Sequence, residues 1–295
     1  MKCIGKYSKL ISVLLLTVVM ATGCGITDLL GTKNVVAEYE AENYNKDLYT
    51  GKLFASDLCV ASGDISLSGI SSDETNTLHS AALFDVDRKK VDFSYQMFDK
   101  IYPASTTKLM TAYLAFKYGN MDDIVTVSDS VSSFASDEVV CNLQPGDTVT
   151  LYDLLCGLLL RSGNDCGVAI AEHISGSVEA FAELMNSEAK ALGATGSHFV
   201  NPHGLHNENH YTTAYDLYLI FNEAIKYDSF NEIIHMTSYQ TAYYDKDGKA
   251  KELTVNNTNR FLRGDFQAPE NITVIGGKTG TTNAAGHCPI LLSRD

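Results

Sequence analysis

Pro103-Ala104-Ser105-Thr106-Thr107-Lys108-Leu109-Met110-Thr111-Ala112-Tyr113-Leu114-Ala115-Phe116 is the stretch on which the fold of this chain turns. Proline is tolerated in a first helical turn, where its missing N–H would lack a partner anyway, so Pro103 suits a chain entering a helix. Past it, Leu109, Ala112, Tyr113 and Phe116 recur at i, i+3, i+4 and i+7, the period of one buried helical face. Ser105 then falls at or near the helix N-terminus, where free backbone N–H groups and the helix dipole favour developing negative charge. Lys108 follows at i+3, within reach of the Ser105 hydroxyl. A serine hydroxyl becomes a useful nucleophile only when a base removes its proton. A lysine serves as that base only if burial or a second cation lowers its pKa. By itself Ser-x-x-Lys is a loose pattern, and a capping serine beside a solvated lysine is its commoner meaning. A second copy, Ser187-Glu188-Ala189-Lys190, sits inside a predicted helix without an N-terminal opening and reads as surface.

Two further motifs follow in order. Ser162-Gly163-Asn164 lies between an apolar helical run ending near Leu160 and a second helical run from Asp165 to Ile174. A glycine between two short polar residues at such a junction lets both side chains point into one cleft. A hydroxyl there is able to pass a proton to a leaving amine, and the Asn164 amide to hold a substrate carbonyl. Ser229-Phe230-Asn231 fits the same loose pattern, so this motif is weak alone. Lys278-Thr279-Gly280 is more telling. It follows the strand-like Ile272-Thr273-Val274-Ile275 and Gly276-Gly277, and continues into Thr281-Thr282. On an edge strand Lys278 offers positive charge to a carboxylate, backbone N–H groups pair with an extended substrate, and glycine permits its close approach. Together the three motifs supply a nucleophile, a base, a proton shuttle and an anion clamp, the kit of an acyl-transferring serine enzyme without a histidine.

Around these motifs, Ala81-Ala82-Leu83-Phe84-Asp85-Val86 and Val91-Asp92-Phe93-Ser94-Tyr95 flank a charged turn and predict a β-hairpin. Thr150-Leu151-Tyr152-Asp153 has capping-box spacing ahead of the apolar run Leu154 to Leu160, and Val178 to Leu192 and Thr213 to Tyr227 are amphipathic. Ile290-Leu291-Leu292 predicts a last strand. Strands at both ends around a helical middle imply an α/β chain whose sheet is closed by distant segments, with a helical lobe inserted. Residues 25 to about 77 are acidic, polar and weakly periodic, and read as spacer and lead-in.

Lys2, Lys6 and Lys9 precede an apolar run from Leu10 to Met20, the order of an export signal over residues 1–23 and too short to span a membrane comfortably. The run ends at Ala21-Thr22-Gly23-Cys24, which resembles a bacterial lipoprotein processing site with Cys24 as the lipid attachment residue. Lipidated or simply cleaved, the working part is expected outside the cytoplasm. The formal net charge of −14 makes a nucleic-acid partner a poor fit. Cys59, Cys141, Cys156, Cys166 and Cys288 show no paired Cys-x-x-Cys spacing; most read as small apolar residues, while a location outside the cytoplasm permits a bridge among them. His203, His206, His210 and His287 form no compact ligand set, so no metal is expected.

With all three motifs in order, the chain resembles the penicillin-binding D-alanyl-D-alanine carboxypeptidases from about Leu78 to its end. Leu143-Gln144-Pro145-Gly146-Asp147, Asn201-Pro202-His203-Gly204-Leu205 and Tyr211-Thr212-Thr213-Ala214-Tyr215-Asp216-Leu217 add to the likeness. The resemblance implies a β-lactamase/DD-peptidase-like fold, an antiparallel sheet with helices on both faces plus a helical lobe, over residues 78–295. It implies an acyl-enzyme on Ser105 with Lys108 as base, Ser162 and Lys278 assisting proton transfer, and Asn164 positioning the substrate. Thr279, Gly280 and Thr281 would line the cleft beside the terminal carboxylate, with backbone N–H groups of Ser105 and Thr281 as the oxyanion hole. The substrate so implied is a peptidoglycan stem peptide, β-lactams would be inhibitors, and no cofactor would be needed. In that family the third motif is followed by more strands and a helix, so the C-terminal part of the sheet lobe is expected to be missing here. A serine β-lactamase, a transpeptidase and a non-catalytic wall-binding lipoprotein remain the rival readings. No glutamate followed by Leu-Asn supplies a β-lactamase's deacylation device; Glu183-Leu184-Met185-Asn186 does not fit.

Overall fold

The computed structural model describes residues 55–67 and 77–295, so the signal segment and Cys24 lie outside the described residues. The predicted hairpin is present as β1 (Ala81–Asp85) and β2 (Lys90–Tyr95), paired antiparallel from Ala81↔Tyr95 to Asp85↔Lys90. Its turn is held where the Asp85 carboxylate accepts the Arg88 N–H at 2.8 Å, a local turn that short acidic residues favour. Part of the stretch read as spacer packs against this hairpin. Ile65 and Ser94 exchange backbone hydrogen bonds of 3.1 and 2.9 Å, and buried Cys59 donates its N–H to the Tyr218 hydroxyl at 2.8 Å.

A single 3₁₀ turn, Ala104–Thr107, leads into α1 (Lys108–Tyr118). The sequence predicts one buried face for this helix; instead every residue from Lys108 to Ala115 is buried. The helix is central, enclosed on all sides, and that is how a lysine in its first turn comes to be buried. Short strands β3 (Ile124–Thr126) and β4 (Thr148–Thr150) follow. Thr150 then caps α2 (Leu151–Cys156), its hydroxyl accepting the Asp153 N–H at 3.0 Å. The apolar run predicted as one helix changes character after Cys156: Gly157–Arg161 widens into a π-helical turn ending at Ser162. Next come α3 (Asn164–Ser175), α4 (Val178–Ala191), α5 (Ala214–Ala224) and α6 (Asp228–His235). Ser177 and Thr213 cap α4 and α5 through the N–H groups of Ala180 and Asp216.

A second hairpin, β5 (Ser238–Tyr244) and β6 (Ala250–Asn256), joins β4 at Thr148↔Tyr244 to make a four-stranded group in the order β3-β4-β5-β6. The chain closes with β7 (Thr273–Thr282) paired to β8 (Gly286–Arg294). Helices combined with antiparallel strands match the sequence reading. Among the described residues the two terminal hairpins carry no ladder to one another. The core runs from Leu109, Met110 and Leu114 of α1 through Leu154 and Leu155 of α2 to Phe181, Ile220 and Phe230. Burying each such side chain contributes about 1.5–3 kcal/mol. In the second Ser-x-x-Lys copy, Ser187 and Lys190 are exposed as read. Glu188 between them is not surface: it is buried and paired with Lys117.

Candidate active site

The turn that carries Ser105 is built under strain. Ala104 has φ 49°, a left-handed conformation that alanine seldom adopts. It is held from both sides. Gly204, itself at φ +89°, lies so close that a Cβ there would stand 1.8 Å from the Ala104 carbonyl oxygen. The Thr107 hydroxyl donates to that same oxygen at 2.8 Å. His210 braces the threonine: its Nδ1 accepts the Val200 N–H at 3.1 Å, which leaves Nε2 to donate to Thr107 Oγ1 at 2.8 Å. Burial pulls the His210 pKa down to about 4, so the ring is neutral and this tautomer is retained at neutral pH. Strain kept in place by surrounding packing is characteristic of functional turns.

Ser105 is half-buried and Lys108 fully buried. Lys108 Nζ lies 3.1 Å from Ser105 Oγ, 2.8 Å from Asn164 Oδ1 and 2.6 Å from the His203 carbonyl oxygen. Burial first, and the charge of Lys278 second, push the Lys108 pKa well below the ordinary lysine range. A neutral amine has two N–H donors and one lone pair. Both Asn164 Oδ1 and the His203 carbonyl can only accept, so they take the two N–H groups. Once the amine is neutral, its lone pair is the group left for Ser105 Oγ–H.

The second motif is set by the π-helical turn. Ser162 emerges from it at φ 72°, buried, its Oγ without a hydrogen-bond partner among the described residues. Asn164 opens α3, and its N–H is fixed by the Val139 carbonyl at 2.8 Å. Next to it the Asp165 carboxylate accepts the N–H groups of Cys141, Leu143 and Cys166 at 2.8 to 3.0 Å, pinning the preceding loop to the start of α3.

The third motif lies within β7, which extends through Thr282, well past the predicted strand. Lys278 is 1% exposed; its Nζ donates to the Thr279 carbonyl at 2.7 Å, and burial lowers its pKa to about 7. Gly280 passes directly over the Ser105 turn: a Cβ at this position would be 2.9 Å from the Ser105 nitrogen and 3.1 Å from that of Thr106. Thr279 Oγ1 pairs with Thr258 Oγ1 at 2.9 Å, and the Thr258 N–H donates to the Leu160 carbonyl at 3.0 Å, tying β7 to the π-helical turn. The exposed Thr281 side chain meets His287 Nδ1 at 3.2 Å. Among the described residues β7 ladders only with β8.

Ser105, Lys108 and Asn164 are thus joined by direct contacts, Lys278 by its charge and Gly280 by close approach. Ser162 and Thr279 are connected through the π-helical turn. Sequence reasoning gave no role to Ala104, Thr107, Thr258, Asp165 or the His203 carbonyl. The turn signal in Asn201-Pro202-His203-Gly204 was the visible trace of the bracing loop. His203 and His210, read as structural, serve here as a backbone acceptor and a brace.

The sequence profile of the D-alanyl-D-alanine carboxypeptidase family matches residues 70–293. The Bacillus subtilis D-alanyl-D-alanine carboxypeptidase DacF is 37% identical over 216 residues, which is 71% of this chain and 52% of that protein. DacC of Escherichia coli is 34% identical over 198 residues, 64% of this chain and 46% of its own. The chain therefore spans about half the length of the curated relatives it matches. Among solved structures, the crystal structure of the Streptomyces K15 DD-transpeptidase aligns with a TM-score of 0.66 at 28% identity, over 73% of this chain and 84% of that one.

Proposed function

We propose that this chain, which belongs to the D-alanyl-D-alanine carboxypeptidase family, removes the terminal D-alanine from peptidoglycan stem peptides through an acyl-enzyme. The observation that carries this reading is the buried Lys108 amine, held by Asn164 Oδ1 and the His203 carbonyl oxygen with its Nζ 3.1 Å from Ser105 Oγ. Lys108 takes the hydroxyl proton as Ser105 Oγ attacks the carbonyl of the penultimate D-alanine. The oxyanion is received by the backbone N–H groups of Ser105 and Thr281, beneath the glycine that leaves them room. Ser162, with a hydroxyl uncommitted to other partners among the described residues, relays the proton to the departing amine. Lys278, about half protonated near pH 7, supplies a proton and in its charged form attracts the substrate carboxylate, beside which Thr279 and Thr281 line the cleft. Water then attacks the ester, Lys108 again accepting the proton, and the shortened peptide leaves. β-Lactams acylate the same serine and are released slowly. A lipid on Cys24 holds the catalytic unit at the outer face of the cell membrane.

The test is release of D-alanine from a synthetic peptide ending in D-Ala-D-Ala, with Ser105→Ala as control. Wild type is expected to release it and the variant not. No release by a wild-type protein that melts cooperatively overturns the reading. The similarity to a DD-transpeptidase makes acyl transfer to an amine the second reading. Adding glycine as acceptor distinguishes the two, since an aminolysed product exceeding the hydrolysed one favours transfer. Rapid turnover of a penicillin, in place of a lasting adduct, favours a β-lactamase.

A further inference from the structure

Behind the second motif lie two thiols that the proposed chemistry does not use. Cys141 and Cys166 are both buried and unbridged, and their sulfur atoms lie within 4.8 Å of each other. They share one anchor, because both backbone N–H groups donate to the Asp165 carboxylate. They also share one space, between Gly157 at the start of the π-helical turn and Gly163 at the centre of the motif. A Cβ on Gly157 would stand 2.6 Å from Cys166 Sγ and 3.0 Å from Cys141 Sγ; one on Gly163 would stand 2.7 Å from Cys141 Sγ and 3.1 Å from Cys166 Sγ. The strained turn bearing Ser162 is thus wrapped around a pair of sulfur atoms.

Cys141, Cys166 and Asp165 also have the composition of a metal site. The carboxylate argues against it. Its two oxygens already accept three backbone N–H groups, leaving little lone-pair capacity for an ion, and no histidine completes a four-ligand set. Two thiols in contact without a third free ligand are arranged for each other.

We propose that Cys141 and Cys166 are a redox modification site, closing to an intramolecular disulfide under a peroxide and thereby displacing Ser162 and Asn164. Cys141 is 8% exposed and Cys166 fully buried, so peroxide meets Cys141 first. The Cys141 sulfur attacks one peroxide oxygen, the O–O bond breaks, and a sulfenic acid forms with release of water. Cys166 Sγ then attacks the Cys141 sulfur, expelling its oxygen as a second water. Two S–H bonds are lost, one S–S bond is gained, and the peroxide takes up the two electrons and both protons. Bond formation draws the sulfurs to about 2.05 Å. Cys166 lies in the first turn of α3, two residues beyond Asn164, whose Oδ1 holds the Lys108 amine. That movement is transmitted to the base. The consequence for acylation rests on the function proposed above; the disulfide itself does not.

The experiment treats the full chain with a hydrogen peroxide series, blocks remaining thiols, and maps peptides by mass spectrometry. The rate of fluorescent-penicillin labelling is followed in parallel. The expected result is a Cys141–Cys166 linked peptide, labelling slowed at least tenfold, and recovery of both on reduction with dithiothreitol. Cys166→Ala and Cys141→Ser are expected to label at the untreated rate with or without peroxide. A sulfinic acid at either residue, links to Cys59, Cys156 or Cys288 instead, or a linked peptide with unchanged labelling overturns the proposal. Stoichiometric cadmium binding that protects both thiols from peroxide overturns it in favour of a metal site. If untreated wild type takes no label, the functional reading has failed, and the peptide map still decides whether the disulfide forms.

Discussion

Replacing Gly280 by alanine isolates the geometry on which acylation depends. The added Cβ would sit 2.9 Å from the Ser105 nitrogen, 3.1 Å from the Thr106 nitrogen and 3.2 Å from Ala104 Cβ. An oxyanion must approach its donor to about 2.7–3.1 Å, so the methyl group occupies the place the oxyanion needs. Gly280 is not among the residues with positive φ, so alanine meets no backbone strain there. The clash is with atoms of the 3₁₀ turn, and a shift of a few tenths of an ångström relieves it at the cost of alignment. Losing one oxyanion donor costs about 10²–10³ in rate, or about 2.7–4 kcal/mol of transition-state stabilisation. The assay is the second-order rate of fluorescent-penicillin acylation, set beside thermal unfolding of the same variant. A hundredfold or larger loss of acylation with a melting temperature within a few degrees of wild type is expected. Acylation within threefold of wild type on a protein that melts normally would refute the placement of the oxyanion beneath Gly280.

Three other outcomes follow from the same geometry. Ser162→Ala removes a buried hydroxyl lacking a partner among the described residues, an arrangement that costs about 1–3 kcal/mol; the variant should melt no lower than wild type while D-alanine release falls at least a hundredfold, and a destabilised variant would show that the hydroxyl is bonded. Asp165→Asn turns one acceptor oxygen into a donor facing the N–H groups of Cys141, Leu143 and Cys166; urea denaturation should show a loss of about 2–4 kcal/mol, and a loss below 1 kcal/mol would contradict the pinning of that loop. Stability should also rise with pH. Lys278 loses its proton near pH 7 when folded but near the ordinary 10.5 when unfolded, so between those values the unfolded state holds more protons and folding is favoured by up to about 1.4 kcal/mol per pH unit. The rise in unfolding midpoint from pH 7 to pH 9 should be smaller in Lys278→Met, where buried Lys108 keeps its own share, and an identical pH dependence in the two proteins would show that Lys278 keeps its proton when folded.

Much of the site was legible because its chemistry is local. Ser105 and Lys108 stand one turn apart on a helix that the period of Leu109, Ala112, Tyr113 and Phe116 announces, and Thr150 caps α2 where the capping box places it. What was hidden depends on chain segments distant in sequence. The full enclosure of α1, which buries Lys108, arises from helices that pack on it from far along the chain and leaves no mark in its own pattern. The strain at Ala104 is written in Gly204, a hundred residues away, and the π-helical turn has no periodic signature that the three leucines between Gly157 and Arg161 could betray. The hairpin of β5 and β6 left its trace mainly in the turn, where Asp247-Gly248 stands and Gly248 has φ +77°; burial alternates along β5 although its residue types do not.

Ser105 is the proposed nucleophile, and buried Lys108 the base proposed to activate it. The most direct measurement is peptide mapping of the penicillin adduct on the full chain across pH 5 to 9. A single acylated residue, Ser105, is expected at every pH at which an adduct forms, and no adduct in Lys108→Met although that variant still melts cooperatively. An adduct on another residue, or one formed at the wild-type rate in Lys108→Met, would contradict this.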